Sequence, residues 1–207
     1  MRIRPSLVVS SAVLLGSLSA QAQAPRTAAA LVLTEGIVYL NDQSVDANAA
    51  PSVLPDTAVV RTAGNRAVVA LKRGGWLFLD AGASVRVLHN GVYNFNRIEA
   101  LTGSTIVASE TSSPIVACEN EMRLSTGGIF RFDVQDPNAR NERYCRFRVF
   151  EGAAAVPLVS VTSALRAGQT MMFNRRCGDM VQTNAFSREQ LDEFDRWARQ
   201  MLARLRG

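Results

Sequence analysis

The stretch "VVRTAGNRAVVALKRGGWLFLDAGASVRV", residues 59–87, constrains the fold more than any other part of the chain. Val68, Ala70 and Lys72 alternate with Ala67, Val69 and Leu71, a period of two that suits a pleated strand. One face is wholly apolar and the other turns polar only at its end. Gly74 and Gly75 supply the positive φ of a tight turn, and "WLFLD" resumes extended structure beyond it. Gly82, Gly91 and Gly103 then interrupt the chain at intervals too short for an ordinary helix.

The second half keeps this rhythm. "IFRFDVQ" places Phe130, Phe132 and Val134 on one face and Arg131 and Asp133 on the other, and "YCRFRVF" sets Cys145, Phe147 and Val149 against Arg146 and Arg148. The two read as a hairpin with one hydrophobic and one charged face. "EGAAAVPLVSV" and "ALRAGQTMMF" follow as a pair, and Gly152 and Gly168 mark corners where a long strand bends. The residues point to an all-β body with Gly corners over residues 33–180, its bent strands folding over each other as a narrow sandwich or coil. A long C-terminal amphipathic helix over 187–206 follows, with Ser187 and Gln190 as its capping box. Leu191, Phe194, Trp197, Ala198, Met201, Leu202 and Leu205 form its apolar stripe, acids fill its first half and arginines its second.

Residues 1–22 have the order of an export signal: Arg2 and Arg4, a 15-residue apolar run from Ser6 to Ala20, then small residues ending at Ala22. That run is short against the roughly 20 residues of a spanning helix. The expectation is cleavage before Gln23, a lead-in over 23–32, a periplasmic or secreted location and no integral membrane span. Cleavage removes two arginines and no acid, taking the formal charge from +5 to +3. The basic residues, all arginine except Lys72, are dispersed, which argues against a nucleic-acid partner. Cys118, Cys145 and Cys177 are an odd set with no C-x2-C spacing, and the chain has one histidine, so neither a metal site nor a cofactor is expected. Cys145 shares its face with Phe147 and Val149, and Cys177 shares parity with Met171 and Phe173, which favours a Cys145 to Cys177 disulfide. The rival pairing of Cys118 with Cys145 requires "PIVAC" to lie beside the hairpin.

In order along the chain these segments resemble the extracytoplasmic domain of the FecR family. Arg61, Thr62, Ala67, Gly75 and Ser84 occupy its Arg-Thr strand, Gly turn and following extended segment. "RIEALTGSTIV", with Leu101 and Gly103, resembles its next strand and turn. "GGIFRFDVQ" resembles a later segment but lacks the usual Thr, and "FRVFEGAAAV" and "LRAGQTMMF" resemble the closing strands. The resemblance covers residues 33 to 174 and implies a twisted, solenoid-like or sandwich-like all-β module with Gly corners. In well-known family members that module follows a transmembrane helix and a cytoplasmic anti-sigma segment, and it reads the state of an outer-membrane transducer.

The residues themselves offer little catalytic chemistry. His89 is the one imidazole and no G-x-S-x-G elbow accompanies it. Glu119 and Glu121 could imitate a carboxylate pair, but beside Arg123 they read as charges on a solvated strand. Cys118 has no evident base. No catalytic residue is therefore assigned. Trp76, Tyr93 and Phe95 are the expected binding surface for an envelope protein or glycan, Phe78 is expected in the core, and the helix stripe is expected to cover the open end of the β-core. The chain reads as an exported, non-catalytic binding or signalling module, the alternatives being a structural or glycan-associated envelope protein and a polysaccharide hydrolase.

Overall fold

The computed structural model describes residues 29–45, 52–72, 74–90, 95–118, 120–135, 144–157, 162–174, 180–187 and 190–207. The export signal, most of the lead-in, Tyr93, Glu119 and Cys177 lie outside them. In chain order the strands are β1 (Ala30–Thr34), β2 (Val38–Leu40), β3 (Gln43–Val45), β4 (Ser52–Val53), β5 (Thr57–Thr62), β6 (Ala67–Ala70), β7 (Gly75–Leu79), β8 (Ser84–Asn90) and β9 (Phe95–Ser109). They continue as β10 (Ser113–Ala117), β11 (Asn120–Leu124), β12 (Gly128–Val134), β13 (Tyr144–Glu151), β14 (Ala153–Pro157), β15 (Thr162–Arg166), β16 (Gln169–Asn174) and β17 (Met180–Ala185), and the helix α1 (Glu193–Arg206) ends the chain.

The strands form two layers. Sheet A runs β4-β1-β6-β7-β9-β12-β13-β16-β17. Sheet B runs β3-β2-β5-β8-β9-β10-β11-β14-β15, with β10 parallel to β9. The long β9 belongs to both: up to Thr102 it pairs with β8, and from Gly103 it pairs with β12. Gly103 has φ +76°, and a Cβ there would lie 2.6 Å from the Cα of Ala83, so the bend between the layers requires glycine. From β10 onward the chain lays down strands in pairs, alternately in B and A. Gly152 and Gly168 stand at two of these crossings, where the sequence placed corners. The result is an open, twisted all-β body with one helix.

Apolar residues of both layers meet in one core, in which the Phe132 and Phe147 rings stack at 4.7 Å. Cys145 points into this core from sheet A and bonds to Cys118 at the end of β10 in sheet B, with Cα atoms 6.0 Å apart. This corrects the expected Cys145 to Cys177 bridge. The expected pairing of β13 with β16 is present, but its register sets Cys145 opposite Phe173 and ends with Tyr144 opposite Asn174. Cys118 faces Cys145 across the layers and takes its sulfur, and Cys177 lies outside the described residues. Closing a loop of sequence separation 27 contributes roughly 3–4 kcal/mol by the chain-entropy relation.

A second core lies on the outer face of sheet A. Val68, Phe78, Ile106, Ile129 and Phe150 meet Phe194, Trp197, Ala198 and Leu202 of α1. The helix therefore lies over the face of one sheet rather than over the open end of the body. This explains why β6 and β7 are buried at every position: both of their faces are covered. The helix also begins later than Ser187. Its N-cap is Asp192, and the capping box joins Asp192 to Asp195.

Candidate functional site

Among the described residues, no helix or strand covers the outer face of sheet B. Along β5 exposed and buried residues alternate, and the outward positions of neighbouring strands align in rows. Val59, Arg86, Glu99, Val116 and Glu121 form one row across five strands, and Leu88, Arg97, Pro114, Arg123 and Ala155 lie along the next. Arg86 bonds to Glu99, and Arg97 lies 3.5 Å from Glu121. Farther along, Arg61 sits 4.2 Å above the Tyr39 ring and reaches Asp42 at 3.9 Å. Exposed pairs of this kind contribute about 0–1 kcal/mol each, so stability alone gives little reason for them. The face presents alternating charge in rows across the strands.

The charges on sheet A do different work. Arg131, 7% exposed, donates from Nε to Asp133 at 2.7 Å and from one terminal nitrogen to Asp192 at 2.6 Å and Asp195 at 2.7 Å. Arg148 binds the other oxygen of Asp133 at 2.8 Å. One guanidinium thus holds both members of the capping box and docks the start of α1 on β12. Burial opposes the charged form of Asp133, but Arg131 and Arg148 outweigh it and hold the carboxyl below its usual range. Asp192 is lowered too: burial opposes its charge, while the Asp195 backbone N–H and Arg131 favour it. At the other side of α1, Arg66 bridges Asp80 and Glu193, and the Trp197 indole donates to Glu35 at 2.6 Å.

Trp76 is 4% exposed and packs in the core beneath α1, which removes it from the expected binding surface. Its face is apolar because the helix, remote in sequence, covers it. Phe78 is in the same core, as expected, and meets Trp197 edge to face at 6.0 Å. Phe95 opens β9 opposite Asn90, and His89 pairs through its backbone with Asn96; Tyr93, the third member of the expected surface, is outside the described residues. Glu121 stands on the outer face of sheet B beside Arg97, and Cys118 is in the disulfide.

The residues carrying the family resemblance stand at both ends of β7: Arg61, Thr62, Ala67 and Ser84 near its Leu79 end, and Gly75 at its start beside Ser109. The Thr62 hydroxyl donates to Asp80 O at 2.6 Å and accepts from the Ala83 N–H at 2.9 Å, clamping the turn between β7 and β8. Gly75 fits against the Ala108 carbonyl, which a Cβ would approach to 2.7 Å. These positions shape the fold. The sequence reading missed Arg131, whose alternation with Phe130 and Phe132 marks an outward charge but not the helix that buries it.

Under α1 is a void of about 10 Å³ lined by Phe78, Ile106, Ile129, Phe150 and Leu202, room for no more than about one water. Among the described residues no group of three His, Cys, Asp or Glu side chains is placed to hold a metal, and no helix is long and apolar enough to cross a membrane.

No family model matches the sequence, and no curated protein matches it at a significant level. In fold it is similar to two crystal structures of candidate anti-sigma factors from Parabacteroides distasonis ATCC 8503. The first has a TM-score of 0.53 and 14% identity over 65% of this chain and 62% of that one. The second has a TM-score of 0.52 and 14% identity over 64% and 61%. The likeness spans less than two thirds of either relative and is a likeness of fold.

Proposed function

We propose that this protein is a non-catalytic, FecR-like binding or signalling module exported to the cell envelope, which engages a protein partner through the outer face of sheet B. The observation that carries this reading is the contrast between the two outer faces. Sheet A closes its apolar face with its own helix, while among the described residues nothing covers the charge-patterned outer face of sheet B. A flat charged face suits recognition of another surface, since charge complementarity across an interface confers specificity and speeds encounter. The fold likeness to candidate anti-sigma factors supports a signalling role by analogy of fold alone.

Crosslinking in intact cells followed by purification from envelope fractions tests the reading. One dominant protein adduct, lost on Arg86→Glu and Arg97→Glu, is expected. Recovery of cell-wall fragments without a protein adduct would contradict it, as would a purely cytoplasmic location. Turnover of an envelope polysaccharide that disappears in Glu121→Gln would instead make the protein a hydrolase.

A further inference from the structure

Among the described strands sheet B ends at β15, and the register shows which backbone groups that edge offers. Ala167 donates its N–H to the Gly152 carbonyl at 3.1 Å, so alternate residues 163, 165 and 167 bond towards β14. Thr162, Ala164 and Arg166 therefore turn their backbone groups to the open side, where no described strand pairs with them. The Arg166 N–H confirms the direction: it leaves the ladder and donates to Gln169 Oε1 at 2.7 Å. Thr162, Ala164 and Arg166 are all exposed, while Leu165 points into the core. β15 carries no proline, no bulge and no inward charge, the usual devices that blunt an edge.

The charge beside this edge is unbalanced. Arg61, Arg86 and Arg97 each have a carboxylate within reach, but among the described residues Arg123 and Arg166 have none. Arg123 stands in register with Ala155, and Ala155 with Ala164, so only small side chains separate it from the edge. Arg166 stands on the edge itself.

We propose that the β15 edge accepts an extended acidic segment of a partner protein as an additional strand. Its backbone pairs with Thr162 and Ala164, and its outward carboxylates face Arg166 and Arg123. Main-chain pairing provides affinity in this mode, and the alternate side chains provide selectivity. The inference rests on the binding-module reading and names the chemistry of its partner.

The test uses the full mature chain and a short fluorescent peptide of alternating glutamate and valine, with two control peptides: lysine in place of glutamate, and the acidic sequence N-methylated at alternate residues. Binding of the acidic peptide alone is expected. Arg166→Glu should weaken it by roughly tenfold, about the effect of one charge pair, Arg123→Glu, two strands farther in, should weaken it less, and together they should confer binding of the lysine peptide. Ala164→Pro should abolish binding. Its N–H points away from β14, so proline there removes no ladder bond. Equal binding of the lysine or N-methylated peptide would overturn the proposal, and the latter does so without altering the protein. A concentration-dependent dimer abolished by Ala164→Pro would also overturn it, by filling the edge with a second copy. If no peptide binds while envelope crosslinking still captures a protein, the edge proposal fails and the binding-module reading stands.

Discussion

β5 and β6 are successive strands of similar apolar content, yet they end in different surroundings. In β5 burial alternates, with Ala58, Val60 and Thr62 inside and Thr57 and Arg61 outside. In β6 all four residues are buried, because Val68 and Ala70 face α1 while Ala67 and Val69 face the shared core. The two sheets are built alike on their inner sides and differ in what lies outside them. A covered face is a stability device, and an uncovered charged face is available for recognition. The largest energies in this molecule should therefore be found under α1, and the smallest on sheet B.

Ending the chain after Phe186 should have the greatest effect. It strips the cover from Phe78, Ile106, Ile129 and Phe150 and exposes an apolar face of the kind that drives aggregation. The expected product is insoluble or strongly dye-binding in a hydrophobic-probe assay. A soluble, monomeric truncation would break the comparison. Arg131→Ala should come next, at about 3–5 kcal/mol in denaturant unfolding, because it leaves Asp195 buried without its counter-charge.

Acid sharpens the same contrast. Asp133 and Asp192 are held below the unfolded carboxylate value, so their contribution is complete above about pH 4 and is lost as pH falls through their depressed folded values. Thermal unfolding followed from pH 7 down to about 3 should be insensitive to this pair until the lower end. The step should shrink in the Arg131→Ala profile without vanishing, because Arg148 still pairs with Asp133 and the Asp195 N–H still bonds to Asp192. On the bare face, Arg86→Ala should cost only about 0.2–1 kcal/mol, although its partner Glu99 is bonded to it. A loss as large as that of Arg131→Ala would mean that sheet B is buried as well.

Much of the body was legible because parity and glycine are local signals. The alternation in "IFRFDVQ" and "YCRFRVF" predicts the β12–β13 hairpin, in which Phe132 faces Phe147, and Gly152 and Gly168 predict the crossings. What failed depended on remote partners. Trp76 looks like a surface residue after a turn until α1 covers it. Ser187 and Gln190 satisfy the capping pattern as well as Asp192 and Asp195 do, and Arg131, distant in sequence, holds the second pair. The disulfide depended on which residue of the other layer faces Cys145: parity alone suits Cys177, but Cys118 at the end of β10 meets Cys145 across the core. The bare face of sheet B appears in the sequence only as scattered charges at Arg86, Arg97, Glu99 and Glu121, which the register gathers into rows.

Site-specific photocrosslinking in living cells compares the two faces directly. A photoreactive residue placed at position 59 or 155, beside Arg86 and Arg123, samples the outer face of sheet B, and one placed at position 196 or 204 samples the exposed side of α1. The account predicts a discrete protein adduct from the sheet B positions and none from the helix. An adduct formed only from the helix positions would contradict it, since it would make the cover, and not the open sheet, the surface that meets the partner.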